Sequence, residues 1–183
     1  MEVRRRTDAD LDVCVDLATV VHERDGYPRF LPAGGDLRPF LSSSTAIGAW
    51  VAVEGRTIVG HVAVHRRASE PVMALATRTL GCEPDGLGVV ARLLVAPTAR
   101  RAGVGRRLLD HASAEATAAG LLPVLDVVTD HVPAITLYER CGWVRVGTVR
   151  TTLGVGMAFD EHVYLHPDAV GGAGGPATGR RPD

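Results

Sequence analysis

The sequence contains no lysine, asparagine or glutamine, so all 20 of its basic residues are arginine. Without lysine, a phosphate-binding loop of the Gly-Lys-Ser/Thr type is excluded. We interpret the missing residue types as the codon bias of a high-GC bacterial genome. Aromatic residues make up only 4% of the chain, so the core must be built mainly from valine, leucine, isoleucine and alanine.

The sequence also has only three cysteines, a net charge close to zero and no long apolar run. Cys14, Cys82 and Cys141 are odd in number and far apart, which fits neither a disulfide framework nor a zinc site. The formal net charge of −1 provides no general attraction to nucleic acid or to anionic lipid. No apolar run approaches the ~18–20 residues of a membrane span, and no signal core is present. We therefore expect a soluble, unexported cytoplasmic protein with no metal, nucleic-acid or membrane partner.

Hydrophobic periodicity fills most of the chain, and 46% of its 183 residues are hydrophobic, as in ordinary globular proteins. Apolar runs predict strands at residues 2–6, 49–54, 57–64, 89–95, 124–128, 143–151 and 161–166. Helical spacing with start and stop signals predicts helices at residues 7–25, 37–41, 103–119 and 133–141. Residues 66–88 show no clear period, and we predict a loop or irregular structure there.

This order of elements indicates an α/β or α+β fold, in which helices lie on both faces of one sheet. At this length a single domain is expected, and we place it at residues 1–167. Residues 168–183 are rich in glycine, alanine and proline, and we expect them to form a disordered tail.

The junction between the strand at 89–95 and the helix at 103–119 has the sequence RRAGVG at residues 100–105. The first N–H groups of a helix lack intrahelical partners and carry roughly half a positive charge, so they attract phosphate. Gly103 and Gly105 have no side chain to keep a phosphate oxygen from these amides. Arg100 and Arg101 add charge that suits a pyrophosphate. The loop therefore predicts a ligand that carries phosphate.

Two other interpretations of this loop are a dinucleotide-binding loop and a helix start that binds no ligand. A dinucleotide-binding loop would have a third glycine where Leu108 stands, although Asp126 lies near the expected place of the ribose-binding acid. A helix start with glycine and solvated arginine needs no ligand at all. The segments on either side of the loop favour the ligand-binding interpretation.

Two motifs resemble those of the GNAT superfamily of N-acetyltransferases. Residues 92–97 (RLLVAP), followed by the Arg-x-x-Gly-x-Gly spacing of residues 100–105, are similar to its acetyl-CoA segment. Residues 134–143 (AITLYERCGW) are similar to its Leu-Tyr-x-x-x-Gly-aromatic helix. The two motifs in this order are more specific than either alone, and the resemblance covers residues 2–166.

The resemblance implies a mixed central sheet of about six or seven strands, flanked by helices and splayed between the fourth and fifth strands. Pantetheine would lie in that gap and bond to main-chain groups, and the amides of the loop would surround the pyrophosphate. A backbone N–H near Val95 would polarise the acyl carbonyl. The residues expected to hold coenzyme A are Leu93, Leu94, Val95, Arg100, Arg101, Ala102, Gly103, Val104, Gly105, Arg106, His131, Ala134, Leu137 and Tyr138.

Tyr138 matches the family tyrosine beside the sulfur of coenzyme A, and we expect it to protonate the departing thiolate as a general acid. The sequence departs from the family at His131, where asparagine is common. It also lacks the acidic base that some members carry early in the central strand. The candidate bases are Glu23, Asp25, His61, Glu83, Asp85 and Asp126, and the sequence does not choose among them.

The expected activity is transfer of an acetyl group from acetyl-CoA to a primary amine by direct attack. A small-molecule acceptor is favoured over a protein N-terminus or lysine. Residues 22–41 and 150–159 are expected to set acceptor specificity. A non-catalytic acyl-CoA-binding module and a nucleotide-binding protein are the alternatives. Many members of the family are dimers, so the resemblance also implies that this protein can form a homodimer.

Overall fold

The computed structural model describes residues 1–29, 31, 33–153 and 156–171. The strands are β1 (Glu2–Arg5), β2 (Ala46–Glu54), β3 (Thr57–His65), β4 (Leu87–Val95), β5 (Leu122–Val128), β6 (Val144–Leu153) and β7 (Met157–Leu165). The helices are α1 (Leu11–Asp25), α2 (Arg38–Leu41), α3 (Glu70–Leu80), α4 (Val104–Ala118), α5 (Val132–Arg140) and α6 (Pro167–Gly171). The strands form one mixed sheet in the order β1-β2-β3-β4-β5-β7-β6. Neighbouring strands are antiparallel, except that β4 and β5 are parallel.

The sequence of α4 has the most regular apolar stripe among the predicted helices. The buried apolar residues of this stripe are Val104, Leu108, Leu109, Ala112 and Ala116. They recur at the three- and four-residue spacing of one helical face. Burying a leucine or valine side chain stabilises a fold by about 1.5–3 kcal/mol, so this stripe anchors the helix on the sheet.

The helices cover both faces of the sheet. Helices α4 and α5 share a buried cluster with Trp50 and Val90. Helices α1 and α2 share a second cluster with Val51, and α3 shares a third with Val89. Because successive side chains of a strand point to opposite faces, α1, α2 and α3 lie opposite α4 and α5.

The prediction of a loop at residues 66–88 is wrong, because α3 lies within this segment. Its first turn contains Pro71, and Gly81 at its C-terminus has a left-handed φ of 64°, as at many helix ends. The helix packs on the sheet closely enough that a Cβ on Gly147 would lie 2.8 Å from Leu75. A short helix is marginal alone, and contacts with strands distant in sequence provide the stability that its weak periodicity does not reveal.

The other predicted strands and helices are confirmed, and most of their ends shift by a few residues. The largest differences are at α1, which begins at Leu11 and not at residue 7, and at β7, which begins at Met157 and not at residue 161. The predicted start of the tail at residue 168 falls within α6. Gly154, Val155 and residues 172–183, which include most of the predicted tail, lie outside the described residues.

Strands β4 and β5 separate soon after they begin. They pair over three positions, residues 87–89 with residues 122–124. Further along, β4 pairs with β3 and β5 pairs with β7, so the two parallel strands diverge toward their carboxyl ends. The predicted splay between the fourth and fifth strands is confirmed. A gap of this kind at the carboxyl edge of parallel strands is a common ligand site.

Candidate active site

The loop between β4 and α4 exposes the start of the helix. Arg101 and Gly103 have left-handed φ values of 66° and 79°, and no side chain caps the helix at Gly103. Left-handed residues in a short loop turn successive N–H groups toward one side and form a concavity that binds anions. A Cβ on Gly103 would meet no atom within 4 Å, so the main chain is open there. This geometry suits a phosphate at the N-terminus of α4.

The arginines of this loop differ in their partners. Arg100 forms a two-pronged ion pair with Asp25 at the end of α1, and its Nε lies 3.4 Å from the carbonyl oxygen of Val95. Arg106 approaches Asp110 at 3.6 Å. Among the residues that the structure describes, Arg101 and Arg107 have no carboxylate partner. Arg101 is exposed beside the helix start and is the loop arginine most available to an anion.

The missing side chain of Gly105 also has a role in packing. A Cβ at this position would lie 3.1 Å from Leu137 and 3.6 Å from Val95. The missing side chain therefore lets α4 approach α5 and β4, which brings the first turn of α4 to the mouth of the gap.

The remaining residues expected to hold coenzyme A fall into two groups. Leu93, Val95, Ala134 and Leu137 are partly buried and pack together around Tyr138, so they can form the walls of a channel. The side chains of Leu94 and Val104 are 1% and 3% exposed and belong to the core. Ala102 is exposed in the loop. For Leu94 and Val104, contact with a ligand is therefore restricted to the main chain.

Strand β4 carries a bulge at Arg92, whose φ is 57°. The pairing with β3 shifts between His61 and Ala63, which leaves an extra residue on β4. His61 is fully buried, and its Nδ1 lies 3.0 Å from the carbonyl oxygen of Arg92. Its Nε2 lies 3.1 Å from the guanidinium of Arg6. Burial lowers the pKa of His61 to about 4, so this neutral ring holds the bulge in place.

Three titratable side chains meet where β4 and β5 part. Tyr138 extends from α5 and is 8% exposed, and burial together with Tyr27 and Asp126 raises the pKa of its phenol. Tyr27 lies between α1 and α2, and burial and the Asp126 carboxyl raise its pKa to about 12. Asp126 shares a strand face with Val124 and points toward the α3 side of the sheet. The gap therefore connects the two faces at these side chains.

A pocket of about 240 Å³ adjoins Asp126 on the α3 side of the sheet. Its polar lining consists of Thr45, His65, Arg67, Ser69, Arg92, Asp126, Thr151 and Glu161. Glu161 accepts a hydrogen bond from Thr151 at 2.5 Å, and the Thr151 hydroxyl lies 3.0 Å from that of Ser69. We call this space the sheet pocket.

The two carboxyl groups of the sheet pocket are coupled. Val128 pairs with Glu161 across β5 and β7, which makes Asp126 and Glu161 diagonal neighbours on one face. Burial and the neighbouring Glu161 carboxylate raise the pKa of Asp126 above its ordinary value. Like charges held this close disfavour simultaneous ionisation, so one proton is retained in the pair more readily than on an isolated aspartate.

The segment between α1 and α2 lies across the mouth of the gap. Tyr27 stacks on the ring of His131 with 5.7 Å between centroids, and Arg29 forms an ion pair with Asp130. On the other side, Asp25 binds Arg100 as described above. His131, expected to contact coenzyme A, lies at the start of α5 and stacks on Tyr27.

The six candidate bases differ in whether they line the sheet pocket and in the groups they contact. Asp126 lies in the sheet pocket close to Tyr138. The Asp85 carboxylate is exposed and pairs with Arg67 at 2.7 Å, and Asp25 pairs with Arg100. His61 is occupied by the β4 bulge. Glu23 lies on the outer side of α1 near Thr98, and Glu83 precedes the turn into β4, so neither shares the sheet pocket.

Residues 17–143 match the model of the acetyltransferase (GNAT) family, which is more than half of the chain. The chain belongs to the GNAT family of acetyltransferases. The splayed β4 and β5, the open start of α4 and the Tyr138 helix are thus parts of a GNAT acetyltransferase domain. No curated protein matches the sequence.

Solved structures of other GNAT proteins share the fold at low identity. NAA60 of Arabidopsis thaliana, solved with a bisubstrate analogue, is 20% identical with a TM-score of 0.66, over 90% of this chain and 96% of that chain. The ribosomal-protein-S18-alanine N-acetyltransferase of Escherichia coli is 15% identical with a TM-score of 0.62, over 90% and 91%. An N-acetyltransferase from Staphylococcus aureus Mu50 is 16% identical with a TM-score of 0.66, over 90% and 96%.

Within residues 1–29, 31, 33–153 and 156–171, no group of three histidine, cysteine or acidic side chains is arranged to hold a metal ion. None of the helices described has the length and apolar character needed to cross a bilayer.

Sequence reasoning missed three residues of the site. Arg92 was assigned no role because the bulge that turns it toward the sheet pocket depends on pairing with β3. Glu161 does have a local signal, since it stands at an inward position of the pattern that continues with the buried Val163 and Leu165. Tyr27 has none, because it reaches the gap only through the path of the chain between α1 and α2.

Proposed function

We propose that this GNAT protein transfers an acetyl group from acetyl-CoA to the primary amine of a small molecule. The observation that carries the proposal is the divergence of β4 and β5 after residues 87–89 and 122–124. This divergence opens a gap that leads from the start of α4 to Tyr138 and Asp126. A donor bound at the helix start can thereby reach an acceptor in the sheet pocket.

The start of α4 suits the pyrophosphate of acetyl-CoA. Its main-chain N–H groups, the uncapped Gly103 and the exposed Arg101 form a concave and positively polarised surface. The apolar side chains around Leu137 suit the pantetheine arm, which would run between β4 and β5. Arg100 must release or share the Val95 carbonyl if that group is to bind the arm, since the guanidinium now lies 3.4 Å from it.

Asp126 is the base that this arrangement favours. It accepts a proton from the acceptor ammonium or from the attacking amine, and its raised pKa brings it closer to the neutral range in which such transfers are efficient. The amine nitrogen then forms a bond to the acetyl carbonyl carbon while the carbon–sulfur bond breaks. The proton removed from nitrogen leaves through Asp126 to solvent.

Tyr138 supplies the second proton transfer. Burial and nearby acidic groups raise the pKa of its phenol, so it is protonated at neutral pH. It can donate this proton to the thiolate as the carbon–sulfur bond breaks, and regains one from solvent. The products are the acetylated amine and the free thiol of coenzyme A.

A small acceptor agrees with the size of the sheet pocket. Its volume of about 240 Å³ lies below the roughly 300–1,000 Å³ of pockets for drug-sized ligands. Three of its lining residues, Thr151, Leu153 and Phe159, lie within residues 150–159, the part of the β6–β7 hairpin expected to set acceptor specificity.

Release of free thiol from acetyl-CoA tests the proposal, with a panel of primary amines and the wild-type protein. Tyr138→Phe should lower kcat by about 10²–10⁴-fold with little change in the affinity for acetyl-CoA, because only the acidic proton is lost. If the protein binds acetyl-CoA but releases no thiol with any amine of the panel, it is a non-catalytic acyl-CoA-binding protein. Wild-type turnover by Tyr138→Phe would show that the ring only packs.

A further inference from the structure

We propose that the acceptor is a small amino acid or a similar compound, in which a carboxylate lies a few bonds from the reactive amine. This inference rests on the proposed acetyl transfer and specifies its second substrate. It follows from the lining of the sheet pocket, where two nitrogen atoms without hydrogen-bond partners and a pair of carboxyl groups border the same space.

His65 contributes the first of these donors. Its side chain is 3% exposed, its Nδ1 lies 3.1 Å from the hydroxyl of Thr45, and its Nε2 has no hydrogen-bond partner among the described residues. Burial lowers its pKa to about 4, so the ring is neutral and carries one N–H. When the Thr45 hydroxyl donates to Nδ1, that N–H is on Nε2 and requires an acceptor in the pocket. A buried donor without a partner is costly, so a ligand oxygen would stabilise it.

Arg92 contributes the second donor. Arg92 lies at the β4 bulge and lines the sheet pocket, and its carbon Cζ lies 4.8 Å from the centre of the Phe40 ring of α2. Its Nη1 is buried with no hydrogen-bond partner, and no carboxylate within the described part of the chain forms an ion pair with it. A guanidinium presents parallel N–H groups whose spacing matches the two oxygens of a carboxylate.

The opposite charge lies in the same pocket. Asp126 and Glu161 form a carboxyl pair there, and Thr151 fixes Glu161 through its hydroxyl. An ammonium group beside this pair is attracted by it and, at Asp126, is positioned to lose its proton. Arg67 also lines the pocket, but its charge is already paired with Asp85 at 2.7 Å. A zwitterion thus offers an ammonium to the carboxyl pair and oxygen atoms to Arg92 Nη1 and His65 Nε2, whereas a simple amine leaves these two nitrogen atoms without hydrogen-bond partners.

Matched acceptors separate this inference from the proposed function. Thiol release would be compared for alanine, β-alanine and 4-aminobutyrate, each beside its primary amide, and for an alanyl peptide amide as a probe of protein N-termini. We expect kcat/KM for the best carboxylate to exceed that of its amide by about 10- to 100-fold, as the loss of a charged hydrogen-bonded pair predicts.

Two arginine variants identify the group responsible. Arg92→Met keeps the apolar stem and should bring the carboxylate-to-amide ratio close to one, while the KM for acetyl-CoA stays near that of the wild type. Arg67→Met removes a charge from the same pocket that is already paired, and should retain most of the preference. Comparing ratios between variants cancels the intrinsic reactivity of each amine.

Each outcome bears on one of the two proposals. Equal rates for carboxylates and amides in the wild type, equal loss of preference in both variants, or a peptide that exceeds every amino acid would overturn this inference and leave acetyl transfer intact. Absence of thiol release from the entire panel would instead refute the proposed function. Should Arg92→Met fail to fold, competitive inhibition of the wild type by propionate, but not by propionamide, still tests the carboxylate site.

Discussion

Replacing Asp126 with asparagine removes the proposed base while keeping the size of the side chain. The carboxyl group lies in the sheet pocket beside Glu161, with Tyr27 and Tyr138 close by. Asparagine still forms hydrogen bonds there but takes up no proton from an amine. We therefore expect a large loss of kcat, and little change in the affinity for acetyl-CoA, whose proposed contacts are elsewhere.

The magnitude follows from general-base catalysis. A positioned base contributes about 10²–10⁴-fold to the rate, which corresponds to roughly 3–5 kcal/mol of transition-state stabilisation at 1.36 kcal/mol for each factor of ten. The buried position of Asp126 favours the upper part of this range, because fewer water molecules are available to take over the proton transfer.

The pH dependence provides a sharper test of the same residue. The base acts when it is unprotonated, and Glu161 raises the pKa of Asp126, so activity should increase with pH through this elevated pKa. Glu161→Gln removes the neighbouring charge, lowers the pKa of Asp126 and should shift the acid limb of the kcat profile to lower pH. Asp126→Asn should eliminate that limb.

Stability should respond to the same proton. A carboxyl group whose pKa is raised on folding binds more protons in the native state, so this contribution to stability falls as pH rises from the ordinary value of 3.8 toward the folded pKa. For one proton the slope is about 1.4 kcal/mol per pH unit. Asp126→Asn lacks this slope and should gain stability relative to the wild type as the pH increases.

Steady-state thiol release between pH 5 and pH 9 and urea unfolding over the same range measure both effects. Acceptor amines of different pKa separate ionisation of the substrate from that of the enzyme. If Asp126→Asn retains the wild-type rate and acid limb, another group accepts the proton. If the acid limb of the kcat profile lies at the same pH in Glu161→Gln as in the wild type, its position does not depend on the coupling of the two carboxyl groups.

Substitutions at two glycines test the binding of coenzyme A and the packing of α4 on the sheet. Gly105→Glu should weaken binding of coenzyme A in calorimetry by about 100-fold or more, because it places a carboxylate at the positive helix start. Gly105→Ala adds only a Cβ, 3.1 Å from Leu137, and a comparable loss in this control would assign the effect to packing. Gly60→Ala should reduce the unfolding free energy in urea by about 1–3 kcal/mol, because its Cβ would lie 2.7 Å from Leu108 and 3.0 Å from the Leu94 carbonyl oxygen. Wild-type stability of this variant would mean that α4 can move away from β3.

Most of the architecture is encoded locally. The alternating or continuous apolar runs of the strands and the regular stripe of α4 follow from short stretches of sequence, because burial of one face requires that spacing. The loop at residues 100–105 also has a local logic, since glycine and the end of a strand determine where a helix can begin. Helix α3 is the exception, because its stability comes from β6 and β7, which follow it by more than sixty residues.

The acceptor side of the site could not be derived in this way. Asp126 is one of six candidate bases, and only the pairing of β5 with β7 brings it beside Glu161. Only the path of the chain between α1 and α2 brings Tyr27 close to Asp126. Arg92 reaches the same pocket through a bulge whose position depends on β3. The sequence by itself determined the family, the fold class and the position of the glycine-containing loop before α4, since each depends on residues close together in the chain. Tertiary structure decided which charges face one another, because that depends on strand register between segments far apart in sequence.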